Sequence, residues 1–172
     1  TKFFDIQEIS WNRCYEPWAI RRDKKIKEHF SKNFKVNSFN GSLLWEPWEV
    51  LKENGTPYKV FTPYYKRGCL SKPQPREPKI TNLRIYKHNF KQTNLVDLEL
   101  LKNKEWEKKI LTSWKVSESS AKSIMLNFFS EGVDDYSEGR NFPSKKNVSR
   151  LSPYINWGQI SVNTLWYEVT KI

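Results

Sequence analysis

Residues 147–158 read NVSRLSPYINWG. Two serines, Ser149 and Ser152, flank an arginine, and Pro153 follows at a position that suits the first turn of a helix. At a helix start the free N–H groups and the helix dipole favour an anion. Serine hydroxyls there either cap the helix or donate to a phosphate, and Arg150 adds a planar cationic fork suited to phosphate oxygens. Arg140, Lys145 and Lys146 lie just upstream. An ordinary capped helix beside a basic turn accounts for the same spacing. In either case a last helix is predicted from Ser149 or Leu151 to beyond Leu165.

Working back from this stretch, Ala121, Ile124, Met125, Phe128, Phe129, Val133 and Tyr136 recur at intervals of three and four, which predicts one apolar helix face. Ser117 is placed to cap that helix and Gly139 to end it. In WEKKILTSW, Trp106 and Trp114 stand eight apart and read as helix packing. Residues 71 to about 104 carry little periodicity and read as a linker with a short helical piece near Leu95 to Leu101. Its start, SKPQPREP, spaces Pro73, Pro75 and Pro78 so as to keep the backbone extended. YKVFTPYYKRGCL (58–70) turns helical after Thr62-Pro63, with Thr62 as the cap.

The amino-terminal part alternates differently. Ile6 to Arg13 suits a buried strand, Trp18 to Ser31 a charged helix with a thin seam of Ala19, Ile26 and Phe30, and Phe34 to Phe39 a second strand. Strand, helix, strand at this spacing is an α/β unit with a parallel sheet, too small to be stable alone. The residues thus predict α/β in the first third, a linker in the middle and helices in the last third.

The chain has 172 residues, of which 37% are hydrophobic, but 8 Trp, 8 Tyr and 10 Phe supply enough buried area for a core. The formal charge of +11, from 30 Lys and Arg against 19 Asp and Glu, fits a polyanion partner, nucleic acid above all, and equally a solvated, lysine-rich surface. Neither a membrane helix nor a signal peptide is predicted. Cys14, Cys69, His29 and His88 fall in no metal-ligand spacing, so no metal is expected and a reduced, cytoplasmic setting is. The sequons at Asn40, Asn54 and Asn147 are then incidental. Asp134 and Asp135 read as a solvated face, and Glu16, Glu46 and Glu49 as caps and surface charges. No nucleophile–base set and no glycine-rich phosphate loop is present, so no catalytic residue is assigned. The first residue is not methionine and the last stretch is apolar, which reads as a section of a longer protein.

Four stretches, in order along the chain, resemble the DNA photolyase/cryptochrome family. ISWNRCYEP (9–17) with the following RRD resembles a late strand and helix of the family's α/β domain, and PYKVFTPYYKR (57–67) its aromatic Val-Phe-Thr-Pro signature. SESSAKSIMLNFFSEGVDDYSEGRNFP (117–143) resembles the first long helix of the flavin domain. NVSRLSPYINWGQIS (147–161) is similar to the Thr-Ser-Arg-Leu-Ser-Pro phosphate loop.

The resemblance implies residues 1–47 as the end of a Rossmann-like α/β antenna domain, 48–113 as the interdomain linker and 114–172 as the start of an all-helical FAD-binding domain. It also implies FAD contacts at Tyr136, Val148, Ser149, Arg150, Leu151 and Ser152, a partial site only, and a DNA-phosphate contact at Arg140. Val148 stands where many members have Thr, so only its backbone N–H serves. Trp18-Ala19 stands where folate-using members carry Asn-Glu, and no antenna pigment is assigned. The implied activity is a carbon–carbon lyase, splitting cyclobutane pyrimidine dimers in damaged DNA by electron transfer from reduced FAD, with this segment alone inactive. A cryptochrome light receptor without repair, and a stand-alone basic nucleic-acid-binding module, are the alternatives.

Overall fold

A computed structural model describes residues 6–79, 81–82, 93–100 and 105–172. In chain order the elements are strand β1 (Glu8–Asn12), helix α1 (Pro17–Phe30), strand β2 (Lys35–Phe39) and the helical turn α2 (Phe61–Pro63). Helices α3 (Glu105–Ser113), α4 (Glu118–Glu131), α5 (Tyr136–Gly139), α6 (Ser152–Asn156) and α7 (Val162–Val169) follow. The chain is thus rich in helix, with a small two-stranded parallel sheet. It forms two compact units, one of Thr1–Glu77 with Ser161–Ile172 and the other of Pro78–Ile160.

In the first unit, alternation makes the strands. Ile9 and Trp11 are half-buried while Glu8, Ser10 and Asn12 are exposed, as a two-residue period with one covered face requires. β1 pairs in parallel with β2, Ile9 opposite Val36 and Trp11 opposite Ser38. α1 connects them, with Pro17 in its first turn and Ala19 fully buried. Pro lacks the N–H that a first turn leaves unpaired anyway, so the helix starts there without strain.

At the carboxyl ends of the strands Arg13 joins three segments. Its guanidinium donates to the Ser38 carbonyl at 2.6 Å and ion-pairs with Glu46, and its backbone N–H donates to Phe39. The Tyr15 hydroxyl donates to the other Glu46 oxygen at 2.9 Å. Glu46 is therefore not the surface charge its sequence context suggests: it is buried and fully partnered. Glu49 does act as a local cap, accepting from the Glu46 N–H at 2.7 Å.

Burial, and then the bond to Glu46, push the Tyr15 phenol above its ordinary pKa. A group raised in the folded state contributes stability that is complete below its unfolded pKa. That contribution is lost as pH rises through the folded value. Tyr15→Phe should cost about 1 kcal/mol at neutral pH and abolish this strongly alkaline loss. Urea denaturation of both proteins at neutral and at strongly alkaline pH checks it, and identical alkaline slopes would count against the bond.

The proline-rich segment is clasped by aromatic side chains. Trp45 Nε1 donates to the Pro73 carbonyl at 3.0 Å, Tyr167 Oη to Pro75 at 2.6 Å and Asn163 Nδ2 to Arg76 at 2.7 Å. Proline-rich backbone has carbonyls free to accept because it makes no internal hydrogen bonds. The rings of Trp45 and Trp166 meet edge to face at 5.2 Å, which fixes α7 in this unit.

Three predicted boundaries are corrected. Thr62 does not cap: Val60 holds the N-cap position of α2 without a side-chain bond, and the chain continues through a π turn, Tyr64–Gly68. The helix capped by Ser117, whose Oγ accepts from the Ser120 N–H at 3.0 Å, ends at Glu131 rather than Gly139. The last helix is broken into α6 and α7, because Gly158 takes φ +69°, a left-handed turn that glycine adopts without steric cost. Of the predicted piece near Leu95 to Leu101, the 3₁₀ turn Leu95–Leu98 is described, and residue 101 lies outside the described residues.

Candidate functional site

The second unit is organised by the segment from the end of α4 to the start of α6. Ala121 and Met125 are the buried residues of α4. Tyr154 of α6 is buried as well, packs on Trp114 with centroids 5.9 Å apart, and donates to the Lys115 carbonyl at 3.0 Å. These contacts anchor the helices between which the segment runs.

α4 stops where the returning chain comes close. A Cβ on Gly132 would lie 2.9 Å from the Lys146 carbonyl oxygen, nearer than real Cβ atoms approach, so only glycine admits the strand of loop. Asn147, next in line, is buried and its Nδ2 donates to the Gly132 carbonyl at 3.1 Å. With that nitrogen occupied, its sequon has no accessible amide. Val148 is exposed, Ser149 half-buried, and the Ser149 hydroxyl accepts from the Leu151 N–H at 3.4 Å. Arg150 adopts φ +53°, a left-handed conformation that costs an L-residue roughly 1–2 kcal/mol. Leu151 is buried and holds the loop to the core.

A cavity of about 520 Å³ opens beside this loop, lined among others by Val148, Ser149, Arg150, Lys145, Lys146 and Glu131. Lys145 is committed to Asp135 at 3.0 Å. Lys146 and Arg150 have no ion-pair partner among the described residues. These two cations and the Ser149 hydroxyl share the cavity with the Glu131 carboxylate, and the lining keeps a net positive charge. The dipole contributes less than the sequence suggests, because α6 has five residues rather than a long helix behind it. A larger cavity in the same unit, about 1120 Å³, is lined chiefly by Leu100, Ile110, Trp114, Tyr154 and Trp157, with no cation on its walls among the described residues.

The structure brings three of the predicted site residues, Val148, Ser149 and Arg150, to one cavity. Leu151 and Ser152 follow in the chain but do not line it, Ser152 being the exposed first residue of α6. Tyr136 and Arg140 form a second group, with the guanidinium 5.6 Å from the ring centroid. Phe128 links the two groups, lining the cavity and meeting the Tyr136 ring edge to face at 5.9 Å. Sequence reasoning missed Glu131, Asn127 and the buried role of Asn147. Lys146 was noted only as a basic neighbour. Among the described residues no cluster of three His, Cys, Asp or Glu side chains is placed to hold a metal, and no helix is long and apolar enough to cross a membrane.

The DNA photolyase family model matches residues 2–80. The chain is 32% identical to a deoxyribodipyrimidine photo-lyase of Agrobacterium fabrum over 165 residues, which is 92% of this chain and 34% of that protein. It is 28% identical to cryptochrome-1 of Arabidopsis thaliana over 166 residues, 94% of this chain and 24% of that protein. A crystal structure of a bacterial class III photolyase from Agrobacterium tumefaciens superposes with a TM-score of 0.79 at 30% identity, covering 94% of this chain and 34% of that one. The chain thus spans about a third of the length of the photolyases it matches. With 32% identity over 92% of its length to one photolyase, and a TM-score of 0.79 at 30% identity to the class III photolyase structure, the chain belongs to the DNA photolyase/cryptochrome family.

Proposed function

We propose that the protein is a light-driven deoxyribodipyrimidine photolyase that holds FAD and acts on damaged DNA, its residues 1–47 closing an α/β antenna domain, 48–113 linking, and 114–172 opening the helical flavin domain. One observation supports it most: two of the predicted phosphate-loop residues, Ser149 and Arg150, share a cavity with Lys146, which has no ion-pair partner among the described residues. The donor set fits a diphosphate. Arg150 offers a bidentate fork and Ser149 a hydroxyl proton, Val148 and Ser152 add backbone N–H groups, and the Leu151 N–H donates to Ser149 Oγ at 3.4 Å and so orients that hydroxyl. Tyr136 stands nearby as the further flavin contact, and Arg140, exposed beside it, as the contact to DNA phosphates.

When bound, FAD supplies the light-absorbing redox chemistry, and the protein's part is to bind and orient it. The chain's own Ser149, Arg150 and Lys146 would hold the negative charge of the diphosphate. The basic excess of +11 suits the DNA backbone, whose affinity should fall steeply with added salt.

A second reading, a cryptochrome without repair activity, is supported by the 28% identity to cryptochrome-1 and cryptochrome-2 of Arabidopsis thaliana. A blue-light repair assay on the full-length protein, with dimer-containing DNA, separates the two. Repair that requires both light and retained FAD is the expected result. Retained FAD with no repair would favour the cryptochrome, and no flavin uptake would sink both.

A further inference from the structure

We infer that Asn147 is a positioning residue, whose buried side chain pins the loop bearing Val148, Ser149 and Arg150 to the ends of α4 and α5 and thereby sets where the anion-binding groups stand. The functional half of this rests on the proposed phosphate role of that loop; the geometric half stands on the packing. Asn147 is 9% exposed and donates from Nδ2 to the Gly132 carbonyl at 3.1 Å. On its other side, a Cβ on Gly139 would lie 2.3 Å from Asn147 Cγ and 2.4 Å from its Oδ1.

Gly139 therefore leaves room for the Asn147 amide, while Gly132 leaves room for the Lys146 carbonyl and the Phe128 ring and accepts from the amide through its own carbonyl. The loop thus approaches the chain at both glycines more closely than a side chain would allow. The amide is the group that fits. Facing a carbonyl acceptor, it must donate; an aspartate of the same shape would set oxygen against oxygen in a buried place.

What the clamp stabilises lies three residues on. Arg150 at φ +53° is a strained arginine, and such conformations persist only where the surroundings over-determine them. The loop is fixed upstream by Asn147 and downstream by buried Leu151, leaving Val148, Ser149 and Arg150 as a short bridge between two anchors. Release of one anchor should let Arg150 relax out of the left-handed region and carry its guanidinium away from the cavity.

The test uses the full-length protein and four variants: Asn147→Asp, Asn147→Gly, Gly139→Ala, and the double Gly139→Ala/Asn147→Gly. Amide hydrogen exchange is read over residues 148–152 and over α4, and FAD affinity is measured by flavin titration at low temperature where each protein is folded by circular dichroism. Asn147→Asp is expected to speed exchange at 148–152 with α4 protection kept, and to weaken FAD about tenfold. Gly139→Ala should do the same in the wild-type background and add almost nothing to Asn147→Gly, because the clash partner is then gone.

Unchanged exchange at 148–152 in Asn147→Asp, or Gly139→Ala effects that add fully to Asn147→Gly, would overturn the positioning role. If Asn147→Asp does not fold, Asn147→Gly alone gives the same exchange readout. Loosened exchange in a protein whose wild type takes up no FAD would leave the clamp standing and remove the flavin reading instead.

Discussion

Arg150→Gly is expected to weaken flavin retention by ten- to a hundredfold while leaving the fold about as stable as before. The two effects part because this arginine sits at φ +53°. An L-residue there carries roughly 1–2 kcal/mol of steric strain, which glycine removes. Glycine gives back about 0.5–1 kcal/mol through the extra freedom of the unfolded chain, so the net change in stability stays within about 1 kcal/mol. Loss of the guanidinium removes a charge-assisted contact to phosphate, about 1.5–3 kcal/mol, which is the stated range of affinity. Arg150→Lys separates fork from charge: the strain and the cation stay, the bidentate geometry goes. Thermal denaturation of the flavin-free protein and flavin titration of the same samples read the two quantities independently. A loss of several kcal/mol in stability with FAD binding intact would make Arg150 a structural residue and empty the cavity of its proposed role.

The contrast between what was and was not legible in the residues follows sequence distance. β1, α1 and β2 were readable within two residues at most of their observed limits, because alternation, an amphipathic seam and a proline in the first turn are all local signals. The end of α4 was not. Val133 and Tyr136 continue the spacing of three and four, and nothing local says that Lys146, fourteen residues on from Gly132, returns to press against it. Glu46 was misread for the same reason: its partners Arg13 and Tyr15 lie 33 and 31 residues away.

The candidate site shows a different limit. Spacing alone allowed Ser149, Arg150 and Ser152 to be an ordinary helix start, and it was the likeness to a family loop that singled them out. The structure then supplies what neither could, Lys146 on the same cavity with no ion-pair partner among the described residues, and the buried amide of Asn147 bonded to the Gly132 carbonyl. A sequon reading of Asn147 looked only two residues ahead, whereas its partner is Gly132, fifteen residues back.

In the first unit the largest loss of stability is expected from Arg13→Met, about 2–3 kcal/mol. The figure is set by Glu46 rather than by Arg13. The arginine side chain is 32% exposed and the glutamate side chain 8%, so removing the arginine strands a carboxylate that water barely reaches. Tyr15 then remains as its one side-chain donor, and the value stays at the lower end of what an orphaned buried charge costs because the arginine itself was partly solvated. Arg13 also donates to the Ser38 carbonyl and lies 5.6 Å from the Trp48 ring centroid, contacts that methionine replaces only in part. If the penalty belongs to the stranded charge, Glu46→Gln in the Arg13→Met background should recover most of it. The amide carries no charge and still accepts from Tyr15. Glu46→Gln alone should cost about 1 kcal/mol, and the four proteins together should show a coupling of about 2.5–3 kcal/mol. Urea denaturation of the full-length proteins at low and high salt measures it. A cost for Arg13→Met below about half a kcal/mol, vanishing in salt, is what a solvated surface pair gives, and would mean that the join at the carboxyl ends of β1 and β2 is held by the backbone alone.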